Sequence, residues 1–244
     1  MSASAEDAEE EETPADTWCK HQGTHTFCSD FDGKDVRDGW DGVWYTGAPG
    51  GLPGSKYEAV ASDRSAPNAL SIYEPAMGGE EYRGGPTFSR RLGVTNLKGV
   101  RVALDLRIDA IGIDTDVHAM APVSLTLAKT DDRGWEHVAS ASLDLRHTKT
   151  ELLASPAVDD ADGAVASENL PRAKWVHVEL DVDLASSPAT VSMTYDGTQV
   201  AKGTYGALDA ATIDLLDLQI GMTRNSPHAS AFEASFDNVV LDVL

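Results

Sequence analysis

The sequence predicts an all-β protein built as an antiparallel β-sandwich. Three observations carry that expectation. Apolar residues recur at every second position over long stretches, turn-forming residues separate those stretches, and no long amphipathic helix interrupts them. In VRVALDLRIDA, residues 100–110, the apolar positions are Val100, Val102, Leu104, Leu106 and Ile108. In WVHVELDVDL, residues 175–184, they are Val176, Val178, Leu180, Val182 and Leu184, with His177, Glu179, Asp181 and Asp183 between them. Side chains alternate across a strand, so this period of two turns one face to a core and the other to water.

The remaining elements follow in chain order. GVWYTG, SKYEAVAS, ALSIYE and PTFSRRL read as short strands in a Gly- and Pro-rich first third, joined by loops such as TGAPGGLPG and EPAMGGEEYRGG. VSLTLAK and ASASLDLR repeat the alternation on either side of TDDRGW, which reads as a hairpin. ATVSMTY and TQVAKGTY flank Asp196-Gly197, and Asp-Gly supplies the positive φ angles of a type I′ turn whose twist matches the strands it joins. YGALDAATIDLL has room for one short helical turn, and LLDLQIGMT and ASFDNVVLDV close the chain as strands. About a dozen strands with one wet face describe a sandwich. No internal repeat is visible, so residues 18–244 are expected to form one domain.

Formal charge is −21, from 19 basic and 40 acidic residues. Nucleic acid is excluded as a partner class, because phosphate binding depends on Lys and Arg. An anionic lipid surface is disfavoured for the same reason, and no apolar run approaches the ~18 residues of a membrane span. Residues 1–17 carry seven acids and no base. Such a segment buries too little apolar surface to order itself and is expected to be an acidic tether. No basic region followed by an apolar one marks a signal peptide. An acidic tether ahead of a Cys-bearing domain nevertheless has the form of an exported protein after cleavage, so the expected location is extracellular, periplasmic or cell-surface.

WCKHQGTHTFCSDFDG, residues 18–33, holds both cysteines of the chain. Cys19, His21, His25 and Cys28 are all zinc-ligand types, but one residue between Cys19 and His21 is tighter than the usual spacing. In an exported protein the simpler reading is a Cys19–Cys28 disulfide pinning the start of the first strand. Cys-x-x-Cys redox chemistry does not fit the spacing.

KWVHVELDVDLASSPATVSMTYDGTQVAKGTY, residues 174–205, resembles the Trp-x-x-Val and Asp-Gly-x-x-Val signature of laminin-G-like, concanavalin A-like lectin/glucanase domains. FCSDFDGKDVRDGW and FDNVVLDV resemble the adjacent first and last strands of such jelly rolls, and SDRSAPNALSI a strand entry found in many of them. The layout is similar to that of predicted secreted bacterial lipoproteins of unassigned function. The resemblance implies a jelly-roll β-sandwich, a fold that hosts lectins, glucanases, lyases, adhesion modules and spacers.

It also implies a calcium site where the first and last strands meet. Asp30 and Asp32 flank Phe31, so in an extended strand they project to one face, and Asp237 has the matching place in the last strand. The one cofactor this raises is structural calcium held by Asp30, Asp32 and Asp237, weighed against solvated strand carboxylates or turn caps at Asp32-Gly33. Asp159, Asp160 and Asp162 in DDADG lack the distant Glu of an EF-hand and read as a loop. Glucanases of this fold carry Glu-x-Asp-x-x-Glu on one strand; here Glu179, Asp181 and Asp183 share a face but the last Glu is missing, and they read as an ordinary wet face. His177 reads as solvated on that face. No metalloprotease, nucleophile-elbow or phosphate-loop motif is present. A lyase-like constellation of His118, His137, Arg107 and tyrosines would have to assemble in three dimensions.

Trp44, Tyr45, Tyr57, Tyr73 and Tyr82 crowd into the loop-rich first third, where flat rings beside polar loops suit sugar stacking. Burial at the sandwich ends is the competing fate, and Trp40 and Trp175 are expected to be structural. Trp44 and Tyr45 must point to opposite faces, so one of them is exposed. The leading expectation is a non-catalytic, exported binding module with a carbohydrate or cell-surface partner. The alternatives are a glycan-degrading hydrolase or lyase, marked by titratable groups converging on one sheet, and a structural spacer domain.

Overall fold

The computed structural model describes residues 18–45, 53–76, 85–111, 120–132, 134–145, 150–156, 165–167, 170–205, 208–224 and 231–244. In chain order these form a four-residue helix α1 (Trp18–His21), then β1 (Phe27–Ser29), β2 (Gly42–Tyr45), β3 (Lys56–Ala61), β4 (Asn68–Glu74), β5 (Pro86–Gly93), β6 (Gly99–Ile111) and β7 (Met120–Asp131). There follow β8 (Gly134–Leu145), β9 (Thr150–Pro156), β10 (Val165–Ser167), β11 (Trp175–Asp183), β12 (Thr190–Tyr195), β13 (Thr198–Thr204), β14 (Leu215–Arg224) and β15 (Phe232–Val243). A short 3-10 turn at Ala210–Thr212, capped by Asp209, occupies the one place where the sequence left room for helix. The acidic tether expected over residues 1–17 lies outside the described residues.

Two antiparallel sheets face each other. One has eight strands, in the order β13-β12-β11-β6-β15-β4-β3, with β1 added alongside β15; the other has seven, in the order β10-β9-β8-β7-β14-β5-β2. Neighbours in sequence are often far apart in the sheet, and that crossing pattern is the jelly roll. The first and last strands pair as expected, with Phe27 opposite Leu241 and Ser29 opposite Val239.

The alternation does what it predicts. Val100, Val102, Leu104, Leu106 and Ile108 are all fully buried, and β11 alternates between buried and half-buried along its length. Inward residues of both sheets form one continuous core, with Phe88, Leu125, Leu127, Leu218 and Ile220 supplied by the seven-stranded sheet. The Asp196-Gly197 turn has φ angles of 48° and 78°, as a type I′ hairpin requires.

Trp40 is buried among Phe27, Phe31 and Phe88, with ring centroids 5.1, 6.3 and 5.7 Å away. Its Nε1 donates to Ser29 Oγ at 3.2 Å. This aromatic knot anchors β1, whose Cys28 forms the expected disulfide with Cys19.

Candidate functional site

The seven-stranded sheet carries polar residues on the face turned away from the core. In β5, Phe88 points inward, so Thr87, Ser89 and Arg91 point outward. In β14, Leu216, Leu218 and Ile220 are buried in the core, leaving Asp217 and Gln219 on the outer face. The register sets these side by side. Ser89, Gln219, Ser124 and Ser142 lie opposite one another on β5, β14, β7 and β8. The next rung holds Arg91, Asp217, Thr126 and Ser140. Trp44 on β2 stands opposite Thr87 and shares that face.

Asp217 organises the rungs. Ser89 Oγ donates to its Oδ1 at 2.6 Å, and Gln219 Nε2 donates to its Oδ2 at 2.8 Å. Arg91 Nε lies 3.7 Å from Oδ2. The Arg91 guanidinium stacks on the Trp44 ring, 5.1 Å from its centroid. On β8, Ser142 Oγ donates to Asp144 Oδ1 at 2.6 Å. An ordinary wet strand face would leave these groups open to water. Here Thr87, Ser89, Ser142, Asp144 and Asp217 are between 0 and 4% exposed, while Trp44 is 38% exposed. The face is a shielded polar surface with an open aromatic edge.

A second polar network sits on the outer face of the eight-stranded sheet. Asp105 Oδ1 accepts from His177 Nδ1 at 2.9 Å and from an Arg64 Nη at 3.0 Å, and its Oδ2 accepts from Asn238 Nδ2 at 2.7 Å. Burial alone would raise the Asp105 pKa, but these three donors outweigh it and hold the carboxyl below its usual range. The bond to Asp105 raises His177, against the opposing effect of burial. His177 is therefore not the solvated side chain expected from its strand pattern. Asp237 Oδ2 accepts from the hydroxyls of Ser62 and Ser65 at 2.8 and 2.9 Å, yet burial pushes its pKa up to about 6. Trp175 Nε1 donates to Asp63 at 2.6 Å, so the turn after β3 is tied across three strands. Every carboxylate oxygen of Asp105 and Asp237 is engaged from within, which makes this a structural clamp rather than an open site.

The carboxylates assigned to calcium do not come together as expected. Phe31 has φ 58°, so the chain leaves the strand at Ser29 and the alternation around Phe31 is lost. Asp30 Oδ2 accepts the Cys19 N–H at 2.8 Å, and Asp32 Oδ1 accepts the Asn68 N–H at 2.8 Å. Asp237 is taken up by Ser62 and Ser65. Among the described residues no group of three His, Cys, Asp or Glu side chains gathers to hold a metal ion. The carboxylate pattern does not fit a three-Asp calcium site, although Asp32 Oδ2 is buried without a partner.

The aromatic candidates divide. Trp44 lies on the shielded polar face. Tyr45, next along the strand, points the other way and is half-buried. Tyr57 packs edge-on against Phe88, with centroids 5.2 Å apart, and Tyr73 lies on the other sheet opposite Glu233. Tyr82, His118 and the DDADG acids lie outside the described residues. On β11, Asp181 pairs with Arg101 at 2.7 Å, His177 Nε2 lies 3.5 Å from Glu179, and Asp183 Oδ1 accepts the Ala185 and Ser186 N–H groups, so the three acids there are taken up by the fold. Of the lyase-like constellation, His137 is exposed on β8 near the β7–β8 hairpin and Arg107 pairs with Asp109 at 2.8 Å on β6 of the other sheet, so these two described members lie on different sheets. Asp217, Ser89, Arg91 and Gln219 were not marked by the sequence. Ser89 and Asp217 are 128 positions apart, and only the register joins them.

No family model matches the chain, and no curated protein matches it. Among solved structures it resembles an endo-β-1,4-glucuronan lyase from the fungus Trichoderma reesei, with a TM-score of 0.63 and 10% identity over 91% of this chain and 96% of the other. It also resembles the cellulose-induced protein Cip1, with a TM-score of 0.57 and 13% identity over 88% of this chain and 96% of the other. A family 7 alginate lyase, A1-II′, superposes with a TM-score of 0.54 and 7% identity over 76% of this chain and 83% of the other. At these identities the likeness is one of fold, and it agrees with the concanavalin A-like jelly roll. The comparison overturns the leading expectation of a module without catalysis: the sandwiches that superpose include polysaccharide lyases, and the glycan-degrading alternative is the better supported.

Proposed function

We propose that this chain is an exported glycan-degrading enzyme whose substrate lies across the outer face of the seven-stranded sheet. The observation that carries this reading is the pair of adjacent polar rungs centred on Asp217. The half-buried Gln219 amide, oriented by buried Asp217, together with the exposed Arg91 and Trp44 side chains, suits the hydroxyls and ring faces of a sugar. The rungs run across the strands, so a chain of sugar units laid along them meets Trp44 at one edge and Ser142 toward the other. The lyase activities of the glucuronan and alginate proteins of this fold support the same reading. The Cys19–Cys28 disulfide fits an oxidising location, and no helix among the described residues is long and apolar enough to cross a membrane.

The test is incubation with a panel of acidic and neutral polysaccharides. New reducing ends report any cleavage, and ultraviolet absorbance of unsaturated sugar ends separates elimination from hydrolysis. Activity on at least one member is expected, and Gln219→Ala should lower kcat/KM about tenfold or more by removing an orienting hydrogen bond. Absence of cleavage across the panel, or an unaffected Gln219→Ala variant, would overturn the assignment.

A further inference from the structure

Arg91 differs from the other groups of the shielded face. Its guanidinium is held in place on two sides: its Cζ sits over the Trp44 ring, 5.1 Å from the centroid, and its Nε faces Asp217 at 3.7 Å. Asp217 already accepts shorter bonds from Ser89 and Gln219, at 2.6 and 2.8 Å, so it claims little of the guanidinium. The backbone below is fixed as well, because Arg91 N–H donates to Asp41 Oδ2 at 2.6 Å, while the neighbouring Arg90 side chain pairs with Asp41 Oδ1 at 2.9 Å. The two Nη groups of Arg91 have no hydrogen-bond acceptor among the described residues, and the side chain is 39% exposed. The result is a planar fork, oriented in advance, with its outer donors open beside an exposed indole. That geometry matches a carboxylate held by two parallel hydrogen bonds, with the sugar ring against the aromatic edge.

The charge around the fork sets how many carboxylates suit it. Asp217 and Asp144 share this face, and the whole chain carries −21. A field of that sign repels a glycan charged at every unit, over a range set by the salt concentration. One local fork offsets one carboxylate and no more. We infer that the Trp44–Arg91 edge binds a single uronic acid unit within an otherwise neutral glycan, rather than an all-uronate chain. The inference rests on the reading of this face as the glycan-binding surface, and it separates this chain from the glucuronan and alginate proteins that share its fold.

Binding, not turnover, tests it. The full chain is titrated with three probes of equal length: a neutral xylo-oligosaccharide, the same oligosaccharide bearing one glucuronic acid branch, and an all-uronate oligosaccharide. Calorimetry gives Kd, and the fluorescence of Trp44, assigned with a Trp44→Phe variant, locates the contact. The singly charged probe is expected to bind about tenfold more tightly than its neutral parent, as charge-assisted hydrogen bonds do. Arg91→Gln should abolish that preference while neutral binding persists, and Arg91→Lys should not restore it. The all-uronate probe should bind more weakly than the singly charged one at low salt and recover as salt rises. If the neutral and singly charged probes bind alike, the fork is not a carboxylate site, though the face remains a glycan surface. If the all-uronate probe binds most tightly at low salt, the single-carboxylate inference is wrong. If no probe binds or perturbs Trp44, the glycan reading of the face fails with it.

Discussion

Removing the Asp105 carboxylate is expected to cost about 2–4 kcal/mol, because Asp105→Ala strands His177, Arg64 and the buried Asn238 amide together. The check is the midpoint of urea unfolding at constant m. A change within experimental error would mean that water replaces the carboxylate without loss. Single residues also show where sequence reasoning stops. His177 is one of four polar residues on a regular wet face, and nothing local distinguishes it from Asp181 or Asp183. Its partner Asp105 lies 72 positions away, and Arg64 a further 41 positions before that. The same holds for Asp217, which looks like any other outward residue of a strand until the register places Ser89 and Arg91 beside it. Trp44 was legible because adjacent strand residues must face opposite ways.

At the scale of elements, the strands with strict alternation were the legible ones. Residues 100–110 and 175–184 bury every second side chain, and the Asp-Gly hairpin has the turn its dipeptide demands. β9 and β10 went unmarked, since TELLASP and VAS are too short or too mixed to show a period. The Asp30–Asp32 expectation failed for a backbone reason: Phe31 takes a left-handed conformation to bury its ring against Trp40, and that turns the flanking carboxylates away from strand geometry. β14 is held close to β5 by a glycine. Gly221 has φ 110°, and a Cβ there would lie 2.3 Å from Pro86 O. Gly221→Ala is therefore expected to destabilise the fold by about 2 kcal/mol or more, combining backbone strain with steric clash. Thermal unfolding checks this, and an unchanged Tm would show that the two strands separate freely. The disulfide acts on an element too. It closes a short loop, with a sequence separation of 9, and ties α1 to β1. Reduction should cost about 2–3 kcal/mol through the entropy of the unfolded chain. Paired urea titrations with and without reductant measure it, and coincident curves would contradict it.

For the molecule as a whole, protonation and stability should move together. Asp237 holds its proton more tightly in the fold, with a pKa raised from 3.8 to about 6 by burial. His177 is raised above 6.5 by Asp105. A raised folded pKa gives stability that is complete below the unfolded value and lost as pH rises through the folded one. Asp237 thus loses its contribution between 3.8 and about 6, and His177 from 6.5 upward. Asp105 has the opposite sign, since its pKa is lowered, and its contribution fades only as pH falls below 3.8. Self-repulsion of a −21 chain grows in the same direction as the first two terms. Tm should fall as pH is raised from about 5 to about 8, and His177→Gln and Asp237→Asn should each flatten the slope. A Tm that climbs over that range would show that other groups dominate.

The central claim is that the outer face of the seven-stranded sheet binds and cleaves glycans, and the sandwich exists to hold that face in register. Arg91 is partly exposed and makes no core contact, so altering it should separate function from folding, whereas Asp217 is buried beneath two hydrogen-bond donors and its replacement should cost stability as well. The most direct measurement is oligosaccharide release from a polysaccharide panel by the native chain and by Arg91→Ala and Asp217→Asn, with Tm recorded for each. Release by the native chain, lowered about tenfold or more on uronate-bearing members in Arg91→Ala with Tm nearly unchanged, is the expected result. Release that persists undiminished in both variants would contradict the account.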